Sequence, residues 1–256
     1  MGMKLHIYES GEGEPLVLLH GLFGTGRNLG VLIRALSPFY RVLAMDLRNH
    51  GESPHDPEMD YAVMAADVAE TLAQKKLTSV RLCGHSMGGK TAMMLALKWP
   101  ELVSHLAVMD IAPVTYGHNY AHFVAAMQAI SLTPTLTRAQ AEQTLATVVK
   151  EAPLRAFLLN NLVLGAAPYW RMGLDEIGAN MGNLFRWDDP PHVVPYAGRT
   201  LFLCGAQSDY VMPSAKPAIM QRFPQARITY VPNAAHWLHA DQPDLVTTAL
   251  KEFFAA

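Results

Sequence analysis

The stretch LCGHSMGGKT, residues 82–91, fits two incompatible catalytic motifs. Read as G-x-S-x-G, with Ser86 at its centre, it is a nucleophile elbow, a sharp turn that joins a strand to a helix and exposes a serine. Read as G-x-x-x-x-G-K-[ST], with Lys90 near its end, it is a P-loop that binds phosphate groups. The two motifs assign different chemistry to the same turn, so the rest of the chain must decide between them.

The composition is typical of a globular protein. Half of the 256 residues are apolar, 16% are charged, and the formal net charge is −2. Because no basic run is longer than the pair Lys75-Lys76, the sequence predicts neither a nucleic acid partner nor attachment to a membrane surface. No stretch approaches the ~18 uninterrupted apolar residues of a membrane span. We expect a monomer or a homodimer.

The first ten residues, MGMKLHIYES, lack the apolar core of a signal peptide. Cys83 and Cys204 both fall in predicted buried strands. Without a secretory signal, two such thiols are expected to be reduced and unpaired. The sequence therefore predicts a cytoplasmic protein.

Short apolar runs alternate with helical patterns along most of the chain. The runs that predict strands are residues 4–9, 15–20, 40–46, 79–84, 103–110, 200–205 and 227–232. Those between residues 15 and 110 are mostly apolar, as in central parallel strands that helices cover on both faces. The first run is more polar and suits an edge strand. In the helix expected from residue 60 to 75, Asp60 is the N-cap and Asp67 falls on the solvent side.

The alternation stops between residues 113 and 198. This segment predicts helices, one beginning at the capping box Thr137-Arg138-Ala139-Gln140 and another covering about 152–163. The fold class is therefore α/β. We expect residues 1–112 and 199–256 to form the core domain and residues 113–198 to form a helical lid.

Features outside the turn favour the nucleophile elbow. A serine hydroxyl needs a base to become a nucleophile, and His236 directly follows the last predicted strand. His239 is an alternative base, but it lies closer to the start of the next helix. Glycines at positions 84 and 88 also suit a tight turn around a strained serine. The P-loop interpretation leaves His236 and the loop at His20-Gly21 unexplained, and it gives Ser86 no role.

An oxyanion hole needs two backbone donors. The Met87 amide, at the N-terminus of the helix after Ser86, is one of them. The other is expected from the glycine-containing loop HGLFG, residues 20–24, in which Leu22 and Phe23 are the candidates. We expect the polar residues Asp46, Arg48, Asn49 and His50 to fix this loop through hydrogen bonds.

Two aspartates compete for the role of triad acid, which orients the imidazole and stabilises its charged form. Asp110 follows the strand after the nucleophile helix, and Asp209 follows the next strand. The residues alone leave both open.

Four motifs in this order resemble the α/β-hydrolase superfamily, and within it the YbfF-type bacterial esterases: HGLFG (20–24), DLRNHGESP (46–54), GHSMGGK (84–90) and NAAHW (233–237). The resemblance implies an α/β-hydrolase fold with a mostly parallel, eight-stranded sheet flanked by helices. It also implies cofactor-free hydrolysis of carboxylic esters or thioesters. By the same resemblance, Asp110 is the favoured acid and Ser208 is an auxiliary hydrogen-bonding group beside it.

Aromatic side chains are concentrated in the expected lid and beside His236. We expect five of them to bind the substrate, because an apolar lining excludes water and accepts a hydrocarbon chain: Tyr116, Tyr120, Phe123, Trp170 and Trp237. His118 and His122 are spaced as a zinc pair on a helix, but position 119 is asparagine and no third ligand is evident. We therefore predict no metal.

The sequence predicts a serine esterase that acts on small-molecule esters of short to medium acyl chains through an acyl-enzyme on Ser86. An acyl-CoA thioesterase or a carbon–carbon bond hydrolase on the same triad is the main alternative. A non-catalytic small-molecule receptor with this fold is a third, since fold alone does not determine function.

Overall fold

The structure, a computed structural model, describes residues 2–256. Its strands are β1 (Ile7–Ser10), β2 (Pro15–Leu19), β3 (Arg41–Met45), β4 (Val80–His85), β5 (Val103–Met109), β6 (Leu162–Val163), β7 (Tyr169–Trp170), β8 (Arg199–Gly205) and β9 (Ala226–Val231). One sheet has seven strands in the order β1-β3-β2-β4-β5-β8-β9, while β6 and β7 form a separate hairpin. In the large sheet, β1 is antiparallel to β3 and the other neighbours run parallel.

The α-helices pack on the two faces of this sheet or belong to the segment of residues 113–198. They are α1 (Gly30–Leu36), α2 (Tyr61–Gln74), α3 (Met87–Lys98), α4 (Ala121–Gln128), α5 (Arg138–Leu145), α6 (Ala152–Leu159), α7 (Leu174–Ala179), α8 (Met181–Phe185), α9 (Lys216–Arg222), α10 (Leu238–Asp241) and α11 (Pro243–Ala255). Side chains alternate across the sheet. Val17 and Leu19 pack into the core on the α2 and α3 face, whereas Leu16 and Leu18 pack into the core on the α1 and α11 face. Burying each such side chain contributes about 1.5–3 kcal/mol.

The strands expected from the sequence are all present, but the eighth strand implied by the resemblance is not found within residues 2–256. The backbone before β1 bonds to α2 instead of to another strand. The Met3 amide donates to Asp67 Oδ1 at 2.7 Å, and the Leu5 amide donates to Thr71 Oγ1 at 3.0 Å. These side-chain acceptors satisfy the amides that a further strand would otherwise pair.

Helix α2 begins as expected but buries a residue that the sequence places in solvent. The Asp60 side chain accepts from the Val63 amide at 2.9 Å, an N-cap worth about 1 kcal/mol. The expectation for Asp67 is wrong, because its side chain is fully buried. Arg48 covers it and donates twice, through Nε at 2.6 Å and Nη2 at 2.8 Å. The partner that buries Asp67 is 19 residues away in sequence, so helical periodicity does not reveal it.

Residues 113–198, here called the insert, contain α4 to α8 and the β6–β7 hairpin. The expected capping box is present at Thr137, and α6 lies within the expected helix at 152–163. The insert contacts loops that follow the strands. Asn161 Nδ2 donates to the Phe23 carbonyl at 2.8 Å, and the Gly173 amide donates to the Asn49 carbonyl at 2.9 Å. The insert therefore lies over the carboxyl edge of the sheet.

Candidate active site

The candidate catalytic side chains all follow strands of the large sheet. Ser86 comes after β4, Asp110 after β5, Ser208 after β8 and His236 after β9. Because these strands run parallel, their carboxyl ends meet at one edge of the sheet, where ligands of open α/β sheets usually bind.

The turn at Ser86 has the strained geometry of a nucleophile elbow. Ser86 adopts φ 52° and ψ −117°, a conformation that side-chain-bearing residues rarely adopt. A Cβ on Gly84 would lie 2.2 Å from the Gly88 carbonyl oxygen, and a Cβ on Gly88 would lie 2.5 Å from the Leu19 carbonyl oxygen. Both positions therefore exclude any side chain, which is the physical reason for the two glycines that flank Ser86.

Ser86, His236 and Asp110 form a continuous hydrogen-bonded chain. His236 Nε2 lies 3.0 Å from Ser86 Oγ, and Nδ1 lies 2.8 Å from Asp110 Oδ2. The fully buried Asp110 carboxylate also accepts from the Gly205 amide at 2.8 Å and from Ser208 Oγ at 2.5 Å. Asp209 is exposed, and the carboxylate that contacts His236 is that of Asp110. This arrangement can transfer a proton from Ser86 to the imidazole and stabilise the resulting charge.

Neighbouring rings and a backbone bond hold His236 in place. Tyr210 stacks on its imidazole with centroids 4.0 Å apart and an interplanar angle of 19°. His85 Nε2 donates to the His236 carbonyl at 2.8 Å, so the side chain before the nucleophile supports the base. The alternative base, His239, packs against His85 with ring centroids 4.9 Å apart. The imidazole within hydrogen-bonding distance of Ser86 Oγ is that of His236. Sequence reasoning missed Tyr210, because no motif distinguishes it from an aromatic residue that only packs.

Two backbone amides remain available to an oxyanion. Leu22 and Met87 both border the space next to Ser86, and within residues 2–256 neither amide donates a hydrogen bond. Met87 is the first residue of α3, where the helix dipole favours negative charge. The Phe23 amide, in contrast, donates to His50 Nε2 at 3.1 Å. Phe23 is therefore not an oxyanion donor in this structure, which corrects the expectation from the sequence.

Two buried imidazoles fix the loop that carries Leu22, in line with the role expected for the residues around His50. His20 Nε2 accepts from the Leu47 amide at 3.0 Å, and His20 Nδ1 donates to the Gly21 carbonyl at 2.8 Å. His50 makes the same two kinds of hydrogen bond. Its Nε2 accepts from the Phe23 amide, and its Nδ1 donates to the Arg48 carbonyl at 2.9 Å. Burial lowers the pKa of His20 to about 4 and that of His50 to about 3. Both rings are therefore neutral in the folded protein at neutral pH.

These shifts predict a loss of stability in mild acid. Between pH 6.5 and about 4, the unfolded chain protonates both histidines while the folded protein does not, so the free energy of unfolding falls as the pH falls. At pH 5, each buried imidazole is expected to lower the free energy of unfolding by on the order of 2 kcal/mol relative to pH 7.5. Urea unfolding at both pH values measures this difference. His50→Gln should reduce it, and an unchanged difference in this variant would contradict the assignment.

A largely apolar cavity of about 510 Å³ opens beside Ser86 and His236. Three of the expected aromatic residues line it, namely Tyr120, Phe123 and Trp237. Leu154 and Phe157 of α6 line it as well, although no sequence motif marks either residue. An apolar cavity of this size fits the hydrocarbon part of a small ester.

The other two aromatic residues expected to bind the substrate, Tyr116 and Trp170, do not line this cavity. Tyr116 borders a second cavity of about 20 Å³ behind Ser86, and its hydroxyl donates to the Tyr210 carbonyl at 2.8 Å. Trp170 lines a surface groove beside Met172, outside both cavities, because the β6–β7 hairpin carries it away from Ser86. The prediction that Trp170 binds the substrate is therefore wrong for this conformation.

The buried position of Lys90 excludes the P-loop interpretation. Its Nζ donates to the backbone carbonyls of Phe185 at 3.3 Å and Arg186 at 3.0 Å, both in the insert. The ammonium also lies over the rings of Tyr61 and Tyr116, at 5.2 Å and 4.9 Å. Burial lowers the pKa of Lys90 to about 7. A lysine that is used in this way to bind the insert cannot hold phosphates.

Within residues 2–256, no group of three or more His, Cys, Asp or Glu side chains is placed to hold a metal ion. His118 Nε2 instead lies 3.1 Å from the Tyr210 hydroxyl. Over the same residues, every helix is too short or too polar to cross a bilayer. Cys83 and Cys204 are buried and unpaired, as expected, and burial raises the pKa of both thiols.

Comparison with known proteins places this geometry among hydrolases. A family model described as "alpha/beta hydrolase fold" matches residues 14–243. The chain is 44% identical over 249 residues to the sn-1-specific diacylglycerol lipase ABHD11 of Mus musculus, covering 94% of this chain and 80% of the relative. It is 36% identical over 249 residues to Esterase YbfF of Escherichia coli (strain K12), covering 94% and 93%. A solved "Marine microorganism esterase" superposes with a TM-score of 0.94 at 36% identity, covering 98% of this chain and 100% of that one.

Proposed function

Because the chain belongs to the α/β-hydrolase family, we propose that it hydrolyses carboxylic esters of short to medium acyl chains through an acyl-enzyme on Ser86. The observation that carries this proposal is the hydrogen-bonded chain from Ser86 Oγ through His236 to the buried Asp110. Relatives with the names of esterases and lipases support hydrolysis of an ester bond.

In the proposed acylation step, His236 Nε2 removes the proton of Ser86 Oγ as the oxygen attacks the ester carbonyl. Asp110 stabilises the imidazolium through Nδ1, and its own charge is stabilised by Gly205 and Ser208. The imidazolium then gives its proton to the departing alkoxide. In deacylation, His236 takes a proton from water as the water oxygen attacks the acyl carbonyl. When the bond to Ser86 Oγ breaks, the imidazolium returns this proton to Oγ and the acid is released.

The oxyanion is expected to bind the amides of Leu22 and Met87. Each unpaired donor is held in place before the reaction begins, Leu22 by the loop that His20 and His50 fix and Met87 by α3. Prearranged donors of this kind typically contribute about 2.7–4 kcal/mol each to the stabilisation of the transition state.

We also propose that the insert acts as a lid, residues 113–198, on a core formed by residues 1–112 and 199–256. It supplies Tyr120, Phe123 and Phe157 to the cavity beside Ser86, and Lys90 ties it to the core. Three arginines could meet a coenzyme A phosphate, and each pairs with a carboxylate instead: Arg155 with Glu142 at 3.4 Å, Arg171 with Glu52 at 3.1 Å and Arg186 with Asp188 at 2.7 Å. No observation therefore favours a thioester over an ester.

Partitioning between water and methanol tests the acyl-enzyme. Ethyl, phenyl and p-nitrophenyl acetate are hydrolysed separately in aqueous methanol, and acetic acid and methyl acetate are quantified. If all three substrates form the same acetyl group on Ser86, the ratio of the two products is the same for each leaving group. A ratio that changes with the leaving group indicates direct attack by water and contradicts the mechanism. No turnover of any ester contradicts the function itself.

A further inference from the structure

Two cavities meet at Ser86, and they differ in size and in chemistry. The larger one, about 510 Å³, is bordered by His236 and Trp237. The smaller one, about 20 Å³, is bordered by Met87 and Ile111 but not by His236. Ser86 and Leu22 border both, so an ester bound at Ser86 has room for one half in each cavity.

The chemistry of the leaving group determines which half goes where. When the tetrahedral intermediate breaks down, the C–O bond to the alcohol breaks, and the alcohol oxygen must take a proton from His236 Nε2. The alcohol therefore has to lie on the side of Ser86 where His236 is, next to the larger cavity. The carbonyl oxygen faces the amides of Leu22 and Met87 at the border of the smaller cavity. The acyl chain, which lies on the side of the carbonyl carbon away from the alcohol, then points into this cavity.

We propose, on the basis of the proposed function, that the small cavity takes the acyl group and the large cavity takes the alcohol. This assignment narrows the proposed range of short to medium acyl chains to its short end, so the preferred substrates are short-chain esters of larger, apolar alcohols. A cavity of about 20 Å³ is close to the minimum that holds one water molecule, so it accepts the methyl of an acetyl group and little more.

Packing and hydrogen bonds hold the residues that form the small cavity in place. Ile111 and Leu184 are buried in the core, at 3% and 5% exposure. Lys90 holds the neighbouring backbone of the insert through the carbonyls of Phe185 and Arg186. Enlarging the cavity for a long acyl chain would have to break these contacts.

The exposure of the residues that line each cavity agrees with the release of the alcohol before the acid. Trp237, Asn28 and Glu151 at the large cavity are exposed, whereas no residue that borders the small cavity is exposed. The alcohol can leave through the large cavity while the acyl group stays on Ser86. Water then enters by the same route and meets His236, the base that must activate it.

Two series of substrates test the proposal on the unmodified protein. The first varies the acyl chain of p-nitrophenyl esters from acetate to butyrate to octanoate. We expect kcat/KM to fall at least tenfold from acetate to octanoate. The second varies the alcohol of acetate esters from ethyl to butyl to octyl, and we expect kcat/KM to rise about two- to fourfold per methylene until the cavity is filled.

Variants in each cavity provide matched controls. Leu184→Ala enlarges the small cavity and is expected to raise the octanoate-to-acetate ratio of kcat/KM at least fivefold. Leu154→Ala, in the large cavity, should change the dependence on the alcohol and leave the acyl ratio within twofold. Ile111→Val is a smaller enlargement in case Leu184→Ala fails to fold, which circular dichroism detects.

The outcomes separate this inference from the function on which it rests. If octanoate or longer acyl esters are hydrolysed as fast as acetate, or if only Leu154→Ala changes the acyl ratio, the assignment of the two cavities is overturned while ester hydrolysis stands. If no ester in either series is hydrolysed, the proposed function fails.

Discussion

Replacing Ser86 with alanine is expected to lower kcat for ester hydrolysis by about 10⁴–10⁶ without unfolding the protein. The change removes the hydroxyl oxygen that lies 3.0 Å from His236 Nε2, so no acyl-enzyme can form. Alanine retains the Cβ of serine, and the elbow keeps its backbone geometry. Steady-state hydrolysis of p-nitrophenyl acetate, beside a thermal melt of each protein, measures both effects.

Ser214→Ala is the control for this experiment, because Ser214 is exposed and lines neither cavity. It should retain the activity of the unmodified protein. If Ser86→Ala kept more than about a tenth of the activity while Ser214→Ala behaved normally, another group would have to be the nucleophile.

Asp110→Asn is expected to lower kcat by about 10³–10⁴. Asparagine has the shape of aspartate but carries no charge to stabilise the imidazolium, and its amide can hold the wrong tautomer of His236. Asp110 also accepts from Gly205 and Ser208, so the melting temperature should be measured to separate catalysis from folding.

Asp209→Asn is the matched control, since it removes a neighbouring carboxylate that is exposed. It should change kcat less than about tenfold. The reverse ranking, with Asp209→Asn the more damaging of the two, would show that the acid follows β8 rather than β5.

The sequence was most informative where local physics determines the structure. Each of the seven strands has an apolar or β-branched run of its own, and the glycines at 84 and 88 mark a turn in which no side chain fits. His236 could be placed because it directly follows the last strand. The positions of Ser86, His236 and Asp110 at one edge of the sheet then follow from parallel topology.

Long-range partners account for what sequence patterns did not reveal. Asp67 is buried because Arg48 covers it, and Phe23 cannot serve as an oxyanion donor because His50 accepts from its amide. Trp170 lies on a hairpin that directs it to another face of the insert. Tyr210 stacks on His236 from a loop after β8. None of these contacts has a local signature, since each one joins segments that meet only in the folded chain.

Covalent labelling by a fluorophosphonate tests the central claim, the activation of Ser86 by His236, most directly. The reagent phosphonylates a serine whose hydroxyl is deprotonated by a nearby base, and peptide mass spectrometry identifies the modified residue. We predict one label per chain, on the peptide that contains Ser86, and at least a hundredfold slower labelling in His236→Ala. A label on another residue, or equally fast labelling of Ser86 without the imidazole, would contradict the account.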